Sequence, residues 1–257
     1  MSQARIVVHG GAGHGAKDQP GVDRAADAGW AILAAGGTAL DAVLAAVEVM
    51  ENDPRLNAGT GGRKRDDGSV QLDAAVATSD GRLGAIICIE ETPNPIRVAA
   101  ALLDDPVHIL AGDGARTWAD ARGFARAPVE GSERPSSTDT VGAVAIDASG
   151  ALAVASSTGG CTGRPRGRVG DTPLFGPGFW CDEKTAIAAT GIGEEITRKM
   201  LCHRVAVSHE AGKSVADAMQ DGLALFDAKT EVGLIMIDAD GVGQGLANTD
   251  MPWAMRD

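Results

Sequence analysis

The sequence predicts an α+β fold in which a pair of antiparallel sheets lies between layers of helices. Segments with strand character occur in hairpin-linked clusters, and helical segments cluster separately, whereas a doubly wound parallel fold would alternate them. Hydrophobic residues make up 44% of the chain but aromatic residues only 3%, so the core is built from Ala, Val, Ile and Leu. The 35 glycines indicate many tight turns and close backbone approaches.

The first half of the chain begins with a strand, which ends in a glycine-rich turn within ARIVVHGGAG. Gly36 and Gly37 separate two segments of helical periodicity, and the turn SDGR separates two strands of small and β-branched residues. The predicted elements after the first strand are helices at 22–35 and 39–50, strands at 70–78 and 83–89, and helices at 94–105 and 112–123.

The second half repeats this order of strands before helices, without a repeat of sequence. The turn DASG joins two strands, and a loop rich in Gly, Arg and Pro covers 159–178. The predicted elements are strands at 141–146, 152–156 and 185–190, helices at 194–210 and 215–229, and a strand at 233–237. We therefore expect a single domain over residues 1–257.

Charge and composition restrict the classes of partner. The net charge is −12 and the isoelectric point about 4.8, which argues against a nucleic-acid surface and favours a small-molecule substrate. The first residues lack the features of a secretory signal, and no apolar run is long enough to span a bilayer, so we expect a cytoplasmic protein without a membrane partner. The cysteines and histidines show no metal-binding or disulfide spacing.

Thr140 stands out in the segment STDTVGAVAID, because it follows Asp139 and opens a predicted strand. Most threonines at such positions are structural. If the bond between Asp139 and Thr140 is cut, however, Thr140 gains a free α-amine, a group whose pKa is ordinarily about 7.7–8.0, and this amine can serve its own hydroxyl as a base. A strand would hold that nucleophile rigidly in position.

Seven motifs in order resemble the plant-type asparaginase and isoaspartyl peptidase family of N-terminal nucleophile hydrolases: IVVHGGAG, GGTALDAV, NAGTGG with LDAAV, DTVGAVAID, SSTGG, GRVGDTP and TGIGE. The resemblance runs from Ile6 to about Met255. It implies a four-layer α-β-β-α sandwich, self-cleavage into subunits 1–139 and 140–257, and a dimer of such αβ pairs. The implied reaction hydrolyses the side-chain amide of L-asparagine or a β-aspartyl dipeptide and releases L-aspartate.

The same resemblance assigns roles to residues of the reacting centre. Thr140 is the implied nucleophile, and Thr158 in SSTGG is the threonine whose hydroxyl contacts it. Thr190 and Gly191 in TGIGE are the implied oxyanion hole, made of one hydroxyl and one backbone N–H. For Thr158, a strand-end threonine without a catalytic role is the alternative.

Further residues match positions that bind the substrate. Arg168 and Asp171 in RGRVGDTP match a clamp on its α-carboxylate and α-ammonium groups, with a surface salt bridge as the alternative. Gly193 matches a backbone carbonyl that contacts the same ammonium. Asn57 has two open interpretations, a position beside the oxyanion or a purely structural turn.

The resemblance implies no catalytic cofactor, but it does imply a structural sodium ion held by backbone carbonyls in the loop around Val47–Asn57. Two other functions stay open: an inactive, uncut relative that binds aspartyl metabolites, and a glycosylasparaginase-like hydrolase. The sequence gives no preference between L-asparagine and β-aspartyl dipeptides.

Overall fold

The structure, a computed structural model, describes residues 4–134 and 140–257. The strands in these two stretches are β1 (Arg5–His9), β2 (Leu72–Thr78), β3 (Leu83–Ile89), β4 (Ile109–Ala111), β5 (Val141–Ile146), β6 (Leu152–Thr158), β7 (Phe179–Cys181), β8 (Thr185–Gly191), β9 (Val232–Asp238), β10 (Gly243–Ala247) and β11 (Trp253–Arg256). The α-helices are α1 (Gln19–Ala34), α2 (Ala39–Glu51), α3 (Pro95–Ala100), α4 (Gly112–Ala121), α5 (Gly193–Lys199), α6 (Leu201–Glu210) and α7 (Val215–Leu223). None of these helices has the length and hydropathy that crossing a bilayer requires.

The strands form two sheets. One has seven strands in the order β11-β1-β5-β6-β2-β3-β4, and the other has four in the order β10-β9-β8-β7. All neighbouring pairs are antiparallel except β3 and β4, which run parallel. Both sheets are therefore mostly antiparallel, as predicted from the clustered strands.

Three hydrophobic clusters separate four layers. Alternate residues of a strand point to opposite faces, so Ala143 of β5 packs towards α1 and α2 while Val144 packs between the sheets. On β9, Ile235 faces the inner cluster and Leu234 faces the helices α6 and α7. Helices thus cover the outer face of each sheet, which confirms the predicted α-β-β-α sandwich.

Both helices predicted in the second half of the chain have different bounds in the structure. The helix predicted at 194–210 is two helices, α5 and α6, because Met200 adopts a left-handed backbone conformation with φ of 52°. The helix predicted at 215–229 ends at Leu223, because the Asp227 side chain accepts the N–H groups of Lys229 and Thr230 in a turn of its own.

Four strands were not predicted: β4, β7, β10 and β11. Two of them are three residues long, and β10 contains two glycines in five residues, so each gives a weak local signal. Strand β11 is paired with β1, from the opposite end of the chain, and this pairing has no local signature. The predicted helix at 94–105 is also shorter, since α3 ends at Ala100.

Candidate active site

Thr140 lies directly before β5, a central strand of the larger sheet that is hydrogen-bonded to β1 and β6. Its side chain is buried, with 4% of the residue exposed. The ladder on both sides fixes the first residues of β5, as the prediction of a rigidly held nucleophile requires. Asp139, the residue before the predicted cleavage point, lies outside the described residues.

A small cavity opens beside Thr140. Five residues singled out in the sequence line it together with Thr140: Thr158, Arg168, Asp171, Gly191 and Gly193. The other lining residues are Gly160, Cys161, Gly170 and Thr172. Residues separated by more than 50 positions in the sequence are thus brought to one cavity by the ends of β5, β6 and β8 and by the loop 159–178.

Thr158 and Thr140 differ in the hydroxyl contacts they make. Thr158 ends β6, and its Oγ1 accepts the Gly160 N–H at 3.1 Å. Thr140 Oγ1 lies 2.8 Å from Thr172 Oγ1. Thr172 was not singled out by the sequence analysis, although it directly follows the matched aspartate in GRVGDTP.

In the clamp predicted from the sequence, the Arg168 guanidinium forms an ion pair, whereas one carboxylate oxygen of Asp171 has no described hydrogen-bond donor. Arg168 donates from Nε and Nη2 to the two carboxylate oxygens of Glu194, at 3.1 and 2.8 Å. Asp171 is 3% exposed, and its Oδ2 accepts no hydrogen bond from the residues that the structure describes. Burial raises the pKa of Asp171 to about 7, against a backbone hydrogen bond and the Arg168 charge, which lower it.

A buried carboxylate oxygen without a donor is costly, and such a group commonly indicates a position that a ligand fills. Gly193 leaves the space for one, because a Cβ there would lie 2.8 Å from Asp171 Oδ1 and 3.0 Å from Arg168 Nη2. An ammonium group of a substrate would supply the missing donor to Asp171.

The two predicted oxyanion residues end β8. Thr190 is fully buried and accepts the Ala12 N–H at Oγ1, 3.1 Å away, so its own hydroxyl proton remains available for donation. Gly191 has a φ of 144°, and a Cβ there would lie 2.4 Å from the Glu231 carbonyl oxygen. Glycine is therefore required at that position by both conformation and space.

Asn57 lies behind the cavity wall. Its Nδ2 donates to the Gly160 carbonyl at 2.6 Å, and its backbone carbonyl accepts the Gly159 N–H at 3.1 Å. These contacts hold the turn that follows Thr158, the last residue of β6. These contacts fit the structural interpretation, and the position of Asn57 beside the oxyanion stays a prediction.

Buried ionisable groups lie close behind the reacting centre. Glu51 accepts hydrogen bonds from Ser157 Oγ at 2.7 Å and Ile96 N at 3.1 Å, and burial raises its pKa to about 8. Asp73 is paired across the sheet with Thr158, and burial raises its pKa to about 6. Burial lowers the pKa of His9 to about 3, so this imidazole is neutral.

The loop implied to hold a sodium ion brings several backbone carbonyls together. The first part of Val47–Asn57 belongs to α2, so only the carbonyls from Glu51 onward can turn to an ion. A Cβ at Gly61 would lie 1.9 Å from Leu56 O and 3.0 Å from Pro54 O, and one at Gly59 would lie 2.6 Å from Glu51 O. Backbone carbonyl oxygens, the ligand type of hard cations, thus lie beside two glycines of this loop, and Glu51 O also accepts the Thr60 hydroxyl at 2.8 Å. The sodium ion stays a prediction.

Other metal sites lack support in the structure. Residues 4–134 and 140–257 contain no group of three or more His, Cys, Asp or Glu placed to hold a metal ion. The four cysteines are buried, and burial raises the pKa of Cys88 and Cys161.

Comparisons with known proteins show which family the chain is similar to. A family model described as Asparaginase matches residues 2–133 and 127–257. The chain is 35% identical to the isoaspartyl peptidase/L-asparaginase of Mus musculus, over 97% of this chain and 86% of the relative. Identity to the protein of the same name from Danio rerio is also 35%, over 97% of this chain and 91% of the relative.

A further relative bears a different name. The N(4)-(Beta-N-acetylglucosaminyl)-L-asparaginase of Elizabethkingia miricola is 34% identical, over 76% of this chain and 63% of the relative. The match to the isoaspartyl peptidases covers more of both sequences, and the family match includes every residue range that lines the cavity. The chain belongs to the family of plant-type asparaginases and isoaspartyl peptidases.

Proposed function

We propose that this protein is a self-processing threonine hydrolase that releases L-aspartate from L-asparagine, from β-aspartyl dipeptides, or from both. The observation that carries the proposal is the composition of one buried cavity. Thr140 lies there with the Arg168 guanidinium and with the unpartnered carboxylate oxygen of Asp171. These groups complement a reacting carbonyl, an α-carboxylate and an α-ammonium, the three functional groups of an aspartyl unit.

Processing comes first in the proposed sequence of steps. Thr140 Oγ1 attacks the carbonyl carbon of residue 139, and the bond from that carbon to the Thr140 nitrogen breaks. The proton from Oγ1 ends on the released nitrogen, which becomes the amine of a new chain end. Water then hydrolyses the ester and leaves fragments of 139 and 118 residues.

Hydrolysis of the substrate uses the same oxygen with the new amine as its base. The Thr140 amine accepts the Oγ1 proton while a C–O bond forms to the side-chain carbonyl of the substrate. The amine proton passes to the leaving nitrogen, which departs as ammonia or as an amino acid. Water then releases L-aspartate from the ester on Thr140. We assign the developing oxyanion to the Thr190 hydroxyl and the Gly191 N–H.

Substrate kinetics with separate processing assays test this proposal. Denaturing electrophoresis of wild type should give the two fragments, and processed protein should hydrolyse L-asparagine or β-aspartyl dipeptides but leave α-aspartyl dipeptides intact. Thr140→Ser retains a nucleophile and should be processed slowly, whereas Thr140→Ala should stay whole and inactive. A chain that remains uncut and inactive while it binds aspartate would favour the non-enzymatic alternative.

A panel of substrates also separates the glycosylasparaginase-like alternative. Hydrolysis of an N-glycosylated asparagine, at a rate above that for β-aspartyl dipeptides, would favour it.

Three further proposals concern the state of the protein. We propose a dimer of αβ pairs, which light scattering of processed protein would measure as about twice the 26.1 kDa chain mass. We propose a structural sodium ion at the carbonyls of Glu51, Pro54 and Leu56, so that melting temperature should be higher in sodium chloride than in choline chloride. We propose a cytoplasmic location, which fractionation of the source cells would test.

A further inference from the structure

The hydroxyl of Thr172 occupies a position that the sequence analysis left without a role. It lies 2.8 Å from Thr140 Oγ1, within hydrogen-bonding distance for two hydroxyl groups. Thr140 is 4% exposed and Thr172 is 1% exposed, so bulk water does not compete for this contact. Both residues line the cavity that contains the Arg168 guanidinium.

The backbone around Thr172 is held firmly. Asp171 O accepts the Leu174 N–H at 2.8 Å, and Leu174 O accepts the Gly178 N–H at 3.1 Å. Gly178 O in turn accepts the Ala189 N–H at 2.9 Å, which ties the loop to β8. A Cβ at Gly178 would lie 2.1 Å from Asp171 O, so the loop closes tightly upon itself. The hydroxyl of Thr172 is thereby presented to Thr140 by a fixed turn.

We propose that Thr172 is a catalytic residue that donates a hydrogen bond to Thr140 Oγ1 in both reactions of that oxygen. This inference rests on the proposed function. When Oγ1 attacks, its proton leaves and the C–O bond forms. In hydrolysis the proton goes to the Thr140 amine, and in self-cleavage it ends on the Thr140 nitrogen as the C–N bond breaks. A donor that remains on Oγ1 disperses the negative charge that develops there and holds the oxygen in line. Thr172 keeps its proton throughout, so no further acceptor is needed.

Thr172 directly follows Asp171, so one segment of the loop places two parts of the site. Asp171 and Thr172 are adjacent in a rigid turn, with the clamp carboxylate and the partner of the nucleophile both facing one cavity. Correct placement of the substrate ammonium and correct orientation of Thr140 therefore depend on the same short segment.

Substitutions that differ by one hydroxyl group test the proposal. Thr172→Val keeps the shape and removes the hydroxyl, and Thr172→Ser keeps the hydroxyl and removes a methyl group. Thr185→Val is the matched control, because Thr185 is also 1% exposed and its hydroxyl donates to Asp182 Oδ1 away from the cavity. Each protein is assayed for the rate of self-cleavage, and its processed fraction for kcat and KM on the substrate that wild type hydrolyses fastest.

We expect Thr172→Val to lower both kcat and the self-cleavage rate by about 10- to 100-fold, the range for a lost hydrogen bond to a developing charge. KM should change little, because the lost contact is made to the nucleophile and not to the substrate. Thr172→Ser should recover most of both rates, and Thr185→Val should match wild type in both.

Two results would overturn the assignment: wild-type rates in Thr172→Val, or equal impairment in Thr172→Ser and Thr172→Val. If Thr172→Val does not fold, as judged by its melting curve, the pair Thr172→Ala and Thr172→Ser decides, since both lack the methyl group and differ in the hydroxyl. Equal rates in that pair would also reject the assignment. A wild-type protein that is cut but hydrolyses none of the substrates would instead refute the proposed function, and the cleavage rates would still test Thr172.

Discussion

The two walls of the cavity are built in different ways. One wall consists of strand ends, with Thr140 before β5, Thr158 at the end of β6 and Gly191 at the end of β8. The other wall is the loop 159–178, which carries Arg168 and Asp171 and has no regular secondary structure. Sheet ladders fix the first wall, whereas individual side-chain and turn contacts fix the second.

The strand wall and the loop wall therefore suit two different tasks, the chemical step and the recognition of the substrate. Chemistry requires positions accurate to a fraction of an ångström, which ladders on both sides of a strand provide. Recognition of a carboxylate and an ammonium requires charge, and the loop supplies a guanidinium and a buried carboxylate, one oxygen of which has no described donor. Substitutions in the strand wall should therefore change kcat, and those in the loop wall should change KM. Thr172 is the exception, a loop residue that contacts the nucleophile.

The largest effect is expected at the centre of the strand wall. Thr140→Ala removes the attacking oxygen, so processing and hydrolysis should both fall below detection while the melting temperature stays near that of uncut wild type. Electrophoresis, an ammonia assay and a thermal melt measure these quantities. Any substantial turnover by this variant would contradict the role of the strand wall.

A smaller effect is expected at the oxyanion position. Thr190→Val should lower kcat by roughly 10²–10³-fold and leave KM nearly unchanged, because the hydroxyl acts on charge that appears only in the transition state. Steady-state kinetics on processed protein give both constants. A large rise in KM with kcat preserved would assign Thr190 to recognition and would break the division between the walls.

In the loop wall, Asp171→Asn should raise KM by roughly 10- to 100-fold, since a charged hydrogen bond to the substrate ammonium is lost. Wild-type kcat/KM should also fall about a hundredfold per pH unit below pH 7, because two groups must lose a proton: the Thr140 amine, whose pKa is ordinarily about 7.7–8.0, and the Asp171 carboxyl, with its pKa of about 7. In Asp171→Asn the acid limb should fall only about tenfold per pH unit, because the amine alone titrates. An unchanged limb in the variant would assign the titration to another group.

The smallest effect concerns Glu51, which supports the strand wall from behind through Ser157. Its pKa is raised to about 8, so the folded protein keeps a proton that the unfolded chain releases above about pH 4.5. Stability from this group is therefore lost as pH rises from about 5 to 8. Glu51→Gln should make the melting temperature less dependent on pH over this interval. An identical pH dependence in both proteins would show that Glu51 does not retain its proton.

Local pattern predicted the strands of the strand wall and the bounds of the loop 159–178, but not the contacts that the loop makes. Val141–Ile146 has the same bounds in prediction and structure. Its run of small and β-branched residues lies between a polar segment and the turn DASG, and these flanks define both ends of the strand. Thr158 and Thr190 follow similar runs. The predicted strands at 152–156 and 185–190 ended two residues and one residue before β6 and β8 do, and nothing in the pattern indicated that these strand ends meet.

The loop wall depends on contacts between distant segments. The ion pair of Arg168 with Glu194 spans 26 positions, and the contact of Thr140 with Thr172 spans 32. No periodicity encodes either contact, so only the match of GRVGDTP to a known motif marked Arg168 and Asp171 within this loop. The break at Met200 was missed for a related reason, since neither Gly nor Pro signals that left-handed residue.

Mass spectrometry of active protein tests the central claim most directly. We predict that the active species is a complex of two fragments, and that the second fragment has 118 residues and a free amine on Thr140. Activity should rise in step with the appearance of that new terminus during incubation of the precursor. Full activity in a chain in which Thr140 is still joined to Asp139 would refute the role of the Thr140 amine as the catalytic base.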